Sequence, residues 1–242
     1  MRTIIVGDVH GCHLELAALL DRVKFESGDQ LVFVGDLVAR GPDSLAVLDI
    51  ARETGAIVVR GNHEQKLIDW RNSRNAWVHG GAEAKPPMGK MHRDVARSLR
   101  PVDWTILETS LFWLDLPEHG VRVVHAGVVP GVPLASQRMD TLMRIRTVPG
   151  RDRQGKKAPV LWGTKYVGPP HVIFGHNAAP GLQLHAWATG LDTGCVYGGR
   201  LTAMVLGMNQ KVPRAFVQRQ ALLVSEPARR VWFDPTTRQR VA

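Results

Sequence analysis

Polar side chains that could bind a metal ion follow several short apolar runs in this chain. Ile4-Ile5-Val6 leads into Gly7-Asp8-Val9-His10-Gly11, which places an acid and an imidazole two residues apart. Carboxylate, amide and imidazole donors recur after later apolar runs, most of them beside a glycine. The full set is Asp8, His10, Asp36, Asn62, His125 and His176. Mixed oxygen and nitrogen donors without a thiolate suit Mn²⁺, Fe²⁺ or Zn²⁺, so the pattern indicates a metal site.

Each of these residues also has an ordinary structural interpretation. An Asp in a glycine-flanked turn can cap the helix that follows it, and a single His after a strand is more often a hydrogen-bonded core residue than a ligand. The recurrence favours a metal centre, because six donors with one bridging carboxylate can hold two divalent ions about 3.5–4 Å apart. We therefore predict a dinuclear site for Mn²⁺, with Co²⁺, Fe²⁺ or Zn²⁺ as alternatives.

Strand–loop–helix units have to bring these donors together. Apolar runs over 4–6, 31–34 and 56–60 predict three strands, each followed by a polar loop and a helical pattern. Such alternation implies an α/β fold with parallel strands and right-handed crossovers, so that the loops meet at one edge of the sheet. The remaining predicted strands are 111–116, 121–124, 171–174, 201–206, 215–217 and 231–233.

Residues 75–110 interrupt the alternation and predict a helical insertion at the edge of the site. Short helices are expected over 88–99 and 102–109, with loops at Gly80-Gly81 and Pro86-Pro87.

Two smaller features also bear on the fold and the site. Pro42 fits the first turn of the helix that follows the second strand. Residues 151–157 carry Arg151, Arg153, Lys156 and Lys157 and predict a mobile basic loop. Such a loop could gather a polyanion or could simply be a solvated surface segment.

The composition fits a single cytoplasmic domain over residues 1–242 with anionic partners. Hydrophobic residues make up 44% of the 242, which is enough for a sizeable core. The net charge of +9 favours nucleic acid, phosphorylated protein or polyphosphate, although charge also serves general solubility. No apolar run is long enough to cross a membrane, and the N-terminus has no signal-peptide pattern. Cys12 and Cys195 lack a CxxC partner and are predicted to be buried and reduced.

Three segments closely resemble the signatures of the phosphoprotein-phosphatase branch of the calcineurin-like metallophosphoesterases. They are Gly7-Asp8-Val9-His10-Gly11, the segment from Gly35 to Gly41, and Gly61-Asn62-His63-Glu64, while His125-Ala126-Gly127 and Gly175-His176 are similar to the later histidine motifs of that branch. The resemblance covers residues 4 to about 206 and implies a two-sheet β-sandwich flanked by helices. It implies that one metal is held by Asp8, His10 and Asp36, and that Asp36 bridges to a second metal completed by Asn62, His125 and His176.

The same resemblance implies catalytic roles. Arg40 would clamp the substrate phosphate, and His63 would act as general acid toward the leaving oxygen. Two cations would lower the pKa of a bridging water, so that hydroxide attacks phosphorus without a phosphoenzyme. Arg146, at a predicted helix end beside the basic segment, is a further candidate for binding the substrate phosphate.

Two features are similar to the symmetrical diadenosine tetraphosphate hydrolases: the segment from Gly35 to Ser44 with Ala39, and the Gly-rich turn at 191–202. The resemblance therefore implies hydrolysis of Ap4A to two ADP, and it permits removal of related caps from RNA 5′ ends. Protein phosphatases usually carry Asp where this chain has Ala39, and that Asp orients the catalytic histidine, so the group that orients His63 is left open. Asp192 is interpreted as a structural residue that holds the turn.

Two other functions remain as alternatives. Glu64 and Gln65 resemble the protein phosphatases, so a Ser/Thr or dual-specificity protein phosphatase is the second hypothesis. A nucleotide- or nucleic-acid-binding module with an inactive metal site is the third. An intact His63 and six intact donors argue against this third class.

Overall fold

Two five-stranded β-sheets form the centre of the protein. The computed structural model describes residues 1–79, 88–237 and 239–241, so the loops predicted at Gly80-Gly81 and Pro86-Pro87 lie outside the described residues. Among the described residues the strands are β1 (Thr3–Val6), β2 (Gln30–Phe33), β3 (Ile57–Val58), β4 (Trp113–Leu116), β5 (Val121–Val124), β6 (Thr147–Arg151), β7 (Lys157–Leu161), β8 (His171–Phe174), β9 (Gln183–Leu184), β10 (Ala188–Gly190), β11 (Arg200–Leu206), β12 (Leu223–Pro227), β13 (Phe233–Asp234) and β14 (Gln239–Arg240). The α-helices are α1 (His13–Arg22), α2 (Ser44–Glu53), α3 (Asn62–Val78), α4 (Lys90–Ser98), α5 (Pro101–Thr109), α6 (Met139–Arg144) and α7 (Phe216–Gln220).

The strand order aligns several carboxyl ends at one edge of each sheet. The first sheet runs β12-β11-β1-β2-β3, with β1, β2 and β3 parallel as predicted and β11 antiparallel to β1. The second runs β4-β5-β8-β10-β9, with β5, β8 and β10 parallel. Helices α1 and α2 make the crossovers between the first three strands. In the part of the chain that the structure describes, no helix is both long and apolar enough to span a bilayer.

Side chains of β1 alternate between two cores because successive residues of a strand face opposite sides. Ile5 is fully buried in a cluster that joins the two sheets, together with Val32 and Val123. Ile4 is fully buried in a second cluster against the helices, with Leu16 of α1. The predicted two-sheet sandwich flanked by helices is confirmed.

Helices α4 and α5 confirm the two helices predicted over 88–99 and 102–109. Pro42, in contrast, does not start a helix: α2 begins at Ser44, because the Asp43 carboxylate caps it by accepting the Ala46 N–H at 3.0 Å. Cys12 and Cys195 are buried with free thiols, as predicted.

Residues 152–156 form a turn inside the segment 151–157 that was predicted as a loop, but the antiparallel strands β6 and β7 that this turn connects were not predicted. The Asp152 carboxylate closes the turn by accepting the N–H groups of Gln154 at 3.0 Å and Lys156 at 2.9 Å. Arg151 and Lys157 are paired at the strand ends, and Arg153 and Lys156 lie in the turn between them.

The C-terminal tail also departs from the prediction. Residues 215–217 lead into α7 instead of forming a strand, because the buried Arg219 guanidinium anchors this turn by donating to the Pro213 carbonyl at 2.9 Å. The strand predicted over 231–233 begins only at Phe233 and pairs with β14, away from either sheet.

Candidate active site

Loops at the carboxyl ends of parallel strands carry all six predicted metal ligands. In chain order they are Asp8 and His10 after β1, Asp36 after β2, Asn62 at the start of α3, His125 after β5 and His176 after β8. The first sheet supplies the oxygen donors and one imidazole, and the second supplies two imidazoles. Because parallel strands align their carboxyl ends, the two sheets deliver these side chains to one edge of the sandwich.

Asp36 lies at the centre of the cluster. Its Oδ2 is 3.6 Å from His10 Nε2 and 4.0 Å from His63 Nε2, and its Oδ1 is 3.5 Å from His125 Nε2. Ligand atoms of His10, Asp36 and His63 lie within 4.8 Å of one another, and the same holds for Asp36, His125 and His176. One carboxylate therefore belongs to two neighbouring donor groups, which is the position that a bridging ligand requires.

Asp8 and Asn62 are tied to the same cluster. Asn62 Oδ1 lies 3.2 Å from His125 Nε2. Both carboxylate oxygens of Asp8 accept the backbone N–H of His176, each at 3.1 Å. A Cβ at Gly175 would collide with the Asp8 carboxylate, so the close approach of these two loops requires glycine. All six predicted ligands are thus brought together.

Backbone carbonyls orient two of the imidazoles. His10 Nδ1 lies 3.2 Å from the Val38 carbonyl, and His125 Nδ1 lies 2.9 Å from the Val34 carbonyl. An Nδ1–H donating to each carbonyl leaves both Nε2 atoms facing Asp36. Such hydrogen bonds fix the tautomer and the ring orientation of metal-binding histidines.

Glu64 organises the loops without contributing to the predicted ligand set. Its fully buried carboxylate accepts the N–H groups of Asp36 at 2.8 Å, Leu37 at 2.9 Å and Gly61 at 2.9 Å. The loops after β2 and β3 are therefore joined by one side chain. Sequence reasoning assigned Glu64 no structural role, because contacts made across 28 residues leave no periodic signal.

The carboxylates of the cluster favour a positive charge on His125, whereas burial lowers the pKa values of His10, His63 and His176. Burial alone would lower the pKa of His125, but Asp36 and Asp8 raise it to about 10. Burial raises the pKa of Asp36, yet His125 and His63 lower it well below its usual range. Burial lowers the pKa of His10 to about 3, so the ring is neutral and its Nε2 can act as an acceptor. Carboxylates that hold a proton on a buried imidazole would equally stabilise a divalent cation.

The residues present fit two divalent ions. The donors are carboxylates, an amide oxygen and imidazole nitrogens, the set that suits Mn²⁺, Fe²⁺ and Zn²⁺. Asp36 is shared between the two groups, and the Nε2 atoms of the surrounding histidines converge on it. The two-ion interpretation made from the sequence is compatible with this geometry.

A cavity of about 570 Å³ opens beside the cluster. Asp36 and His176 form part of its wall, and the two predicted phosphate-binding arginines, Arg40 and Arg146, also line it. Arg40 Nη1 lies 2.6 Å from His10 Nε2, and the Arg40 guanidinium is 5.6 Å from the centre of the Tyr197 ring. Cationic groups therefore face the space next to the metal-binding residues.

Asp192 also lines this cavity, although it was predicted to be structural. Its Oδ1 accepts the Gly194 N–H at 3.1 Å, the contact expected of a residue that holds a turn. Burial raises the pKa of Asp192 to about 6.

His63 contacts a residue that the sequence did not single out. His63 Nδ1 lies 3.0 Å from His92 Nε2 on α4, and both side chains are buried. Ala39, where protein phosphatases usually carry Asp, is itself buried and offers only a methyl group. No local signal identifies His92, because the contact spans 29 residues and two helices.

Comparison with known proteins gives an independent result. The sequence profile of the family described as calcineurin-like phosphoesterase matches residues 1–207. The asymmetrical bis(5'-nucleosyl)-tetraphosphatase PrpE of Halalkalibacterium halodurans is 28% identical over 220 residues, which cover 84% of this chain and 89% of that relative.

Two further proteins are similar over most of their length. Serine/threonine-protein phosphatase 1 of Salmonella typhimurium is 32% identical over 205 residues, covering 82% of this chain and 88% of that one. A solved structure described as a candidate diadenosine tetraphosphatase is 33% identical and superposes with a TM-score of 0.73, covering 94% of this chain and 93% of the other.

Proposed function

Because this chain belongs to the calcineurin-like phosphoesterase family, we propose that it is a metal-dependent hydrolase of dinucleoside tetraphosphates such as Ap4A. The observation that carries the proposal is the cavity of about 570 Å³, lined by Asp36, Arg40 and Arg146. A cavity of this size can accept much of a nucleotide, and its arginines match the charge of a phosphate chain. The names of the similar PrpE protein and of the similar solved structure support the same substrate class.

The proposed metal ligands are Asp8, His10, Asp36, Asn62, His125 and His176. When bound, two divalent ions would supply a water of lowered pKa and positive charge beside the reacting phosphate. Manganese remains our prediction for the physiological ion, because the donor set alone admits several metals.

The remaining groups act on the substrate directly. Arg40 and Arg146 hold phosphate oxygens, so that negative charge developing at phosphorus meets fixed positive charge. His63 Nε2 points toward Asp36 at 4.0 Å, on the side of the ring that faces the cluster. From there it donates a proton to the leaving phosphate oxygen, a step commonly worth about 10²–10⁴ in rate.

The position of cleavage remains a prediction. The motif resemblance implies symmetrical cleavage to two ADP, whereas the PrpE relatives are named asymmetrical. Asymmetrical cleavage of Ap4A would give ATP and AMP.

A Ser/Thr protein phosphatase is the second candidate. The observation in its favour is the 32% identity to the protein phosphatase of Salmonella typhimurium. Ala39 argues against it, because that position lacks the Asp usual in protein phosphatases.

Capped RNA 5′ ends are a possible extension of the same activity. A groove of about 910 Å³ runs along the hairpin of β6 and β7 and includes Arg151, Lys157 and Lys165 in its wall. Basic side chains grouped along one hairpin suit the negative charges of a phosphate backbone.

Product analysis tests the proposal. With Mn²⁺ present, we expect Ap4A to be hydrolysed far faster than a phosphopeptide, and chromatography would distinguish ADP from ATP plus AMP. Arg40→Gln should lower kcat/KM for Ap4A by about 10–100-fold, because charge-assisted hydrogen bonds contribute about 1.5–3 kcal/mol. The matched control is Arg52→Gln, which changes a partly exposed arginine on α2. Faster turnover of the phosphopeptide would favour the protein phosphatase instead.

A further inference from the structure

The two ring nitrogens of His63 face different partners. Nε2 points toward the metal-binding cluster, 4.0 Å from Asp36 Oδ2. Nδ1 lies 3.0 Å from Nε2 of His92, with the two ring centroids 4.8 Å apart. The side chain of His92 is only 5% exposed, so bulk water does not compete for this contact. One nitrogen is therefore available for chemistry while the other is held.

We propose that His92 is the positioning residue of this site: it holds the His63 ring through the Nδ1···Nε2 hydrogen bond, in place of a carboxylate at Ala39. The inference rests on the proposed role of His63 as proton donor. When His63 Nδ1 carries a hydrogen, it donates that hydrogen to His92 Nε2 at 3.0 Å, and His63 Nε2 stays directed at Asp36. His92 must then be neutral and must offer its Nε2 lone pair.

The surroundings of His92 favour this neutral form. Burial, together with the positive charges of Lys66 and Arg40, lowers the pKa of His92 to about 4. A neutral imidazole holds the His63 ring without adding negative charge to the cluster. In this respect it differs from the carboxylate that protein phosphatases usually carry at this point.

Helix α4 is itself fixed against the site. Val95 and Ala96 on this helix are buried in the core that packs against the first sheet. Met91, next to His92, accepts the backbone N–H of Arg40 through its sulfur at 3.0 Å. The helix that supplies His92 therefore also contacts the loop that carries the phosphate-binding arginine.

A comparison of leaving groups tests the proposal. Phenyl phosphate needs protonation of its leaving oxygen, whereas p-nitrophenyl phosphate hardly does. His92→Leu should lower kcat for phenyl phosphate by about 10–100-fold, a fraction of the full effect of a general acid, and for p-nitrophenyl phosphate by less than about threefold. His92→Gln, whose amide oxygen can accept the same hydrogen bond, should restore most of the loss.

Val95→Ala is the matched control on the same helix. It should lower the melting temperature and leave the ratio of the two rates unchanged, because Val95 lies in the core and has no polar contact with His63. Equal losses on both substrates for His92→Leu would show a merely structural role and would overturn the proposal.

Histidine ¹⁵N NMR gives a readout that does not depend on turnover. The His63 Nδ1–H should be detected in the wild type and in His92→Gln, and it should exchange rapidly with water in His92→Leu. An unchanged Nδ1–H signal in His92→Leu would also overturn the proposal. If the protein fails to hydrolyse Ap4A but keeps this leaving-group pattern, the proposed substrate is wrong and the role of His92 is supported.

Discussion

Single side chains in this site hold several others in place. Asp36 is surrounded by three histidines, and its own N–H and those of two neighbouring loop residues are bound by Glu64. The position of a metal ligand depends on the groups that hydrogen-bond to it and orient it. Removing such a group typically costs about 10–100-fold in metal affinity. At the residue scale, a substitution of Glu64 therefore tests the site as directly as a substitution of a predicted ligand.

Glu64→Gln tests this directly. The carboxylate accepts hydrogen bonds on both oxygens, and an amide would turn an NH₂ group toward one of these donors. We expect a loss of about 1–3 kcal/mol in the free energy of unfolding and a 10–100-fold weaker affinity for Mn²⁺. Denaturant unfolding and calorimetric titration would measure the two effects.

Glu108→Gln is the control for that variant, because Glu108 is partly exposed and pairs with Arg71 at the surface. It should change both quantities little. Metal affinity that stays intact in Glu64→Gln would contradict the organising role.

At the scale of elements, the sequence predicted the strand ends better than the segments between them. Apolar runs followed by a polar residue with a glycine within two positions of it located β1, β2, β5 and β8, because burial and turn formation act locally there. The hairpin of β6 and β7 and helix α7 were missed. Their stability depends on cross-strand pairs and on buried contacts of Arg219, which join residues far apart in the chain.

Helix α7 offers a test at this scale. The Arg219 guanidinium is fully buried and donates to the carbonyls of Pro213, His185 and Arg214. Arg219→Met keeps much of the volume but leaves these carbonyls without a partner, so we expect a loss of about 2–5 kcal/mol in the free energy of unfolding. Chemical denaturation would measure it, with Gln218→Met on the exposed face of the same helix as control. A loss below about 1 kcal/mol would show that water replaces the arginine.

The difference between local signals and contacts between distant residues also explains which site residues could be predicted from the sequence. The six predicted ligands were identified because they follow five strands of the two sheets, each near the carboxyl end of its strand. His92 and Glu64 were not recognised, since their roles depend on contacts across 29 and 28 residues that only the folded chain reveals. Helix α4 of the predicted helical insertion brings His92 to His63, the proposed proton donor.

At the scale of the whole molecule, both sheets contribute predicted metal ligands and share one buried core. Asp8, His10, Asp36 and Asn62 come from the first sheet, while His125 and His176 come from the second. The core between the sheets contains side chains of both. Binding of metal ions should therefore stabilise the whole sandwich, since a ligand that binds only the folded state raises its stability.

Buried neutral histidines should make the molecule sensitive to acid. Burial lowers the pKa of His171 to about 3, and its Nε2 lies 2.9 Å from Thr189 Oγ1. The unfolded chain binds a proton here near pH 6.5 and the folded chain does not, so stability is lost as the pH falls from about 6.5 toward 3. At pH 5 this histidine alone should cost about 2 kcal/mol relative to pH 7.

Urea unfolding of wild type and His171→Gln between pH 7 and pH 4.5 would measure that loss. The variant should lose less stability on acidification, and the exposed His79→Gln should follow the wild type. Parallel curves for wild type and His171→Gln would show that His171 takes up its proton in the folded state as well.

The most direct test of the account is the location of bound ions in crystals grown with excess Mn²⁺. The account predicts two anomalous-scattering peaks about 3.5–4 Å apart, with the Asp36 carboxylate between them. One peak should lie beside Asp8 and His10 and the other beside Asn62, His125 and His176. A single peak, peaks remote from Asp36, or an empty cluster at saturating Mn²⁺ would contradict the dinuclear centre.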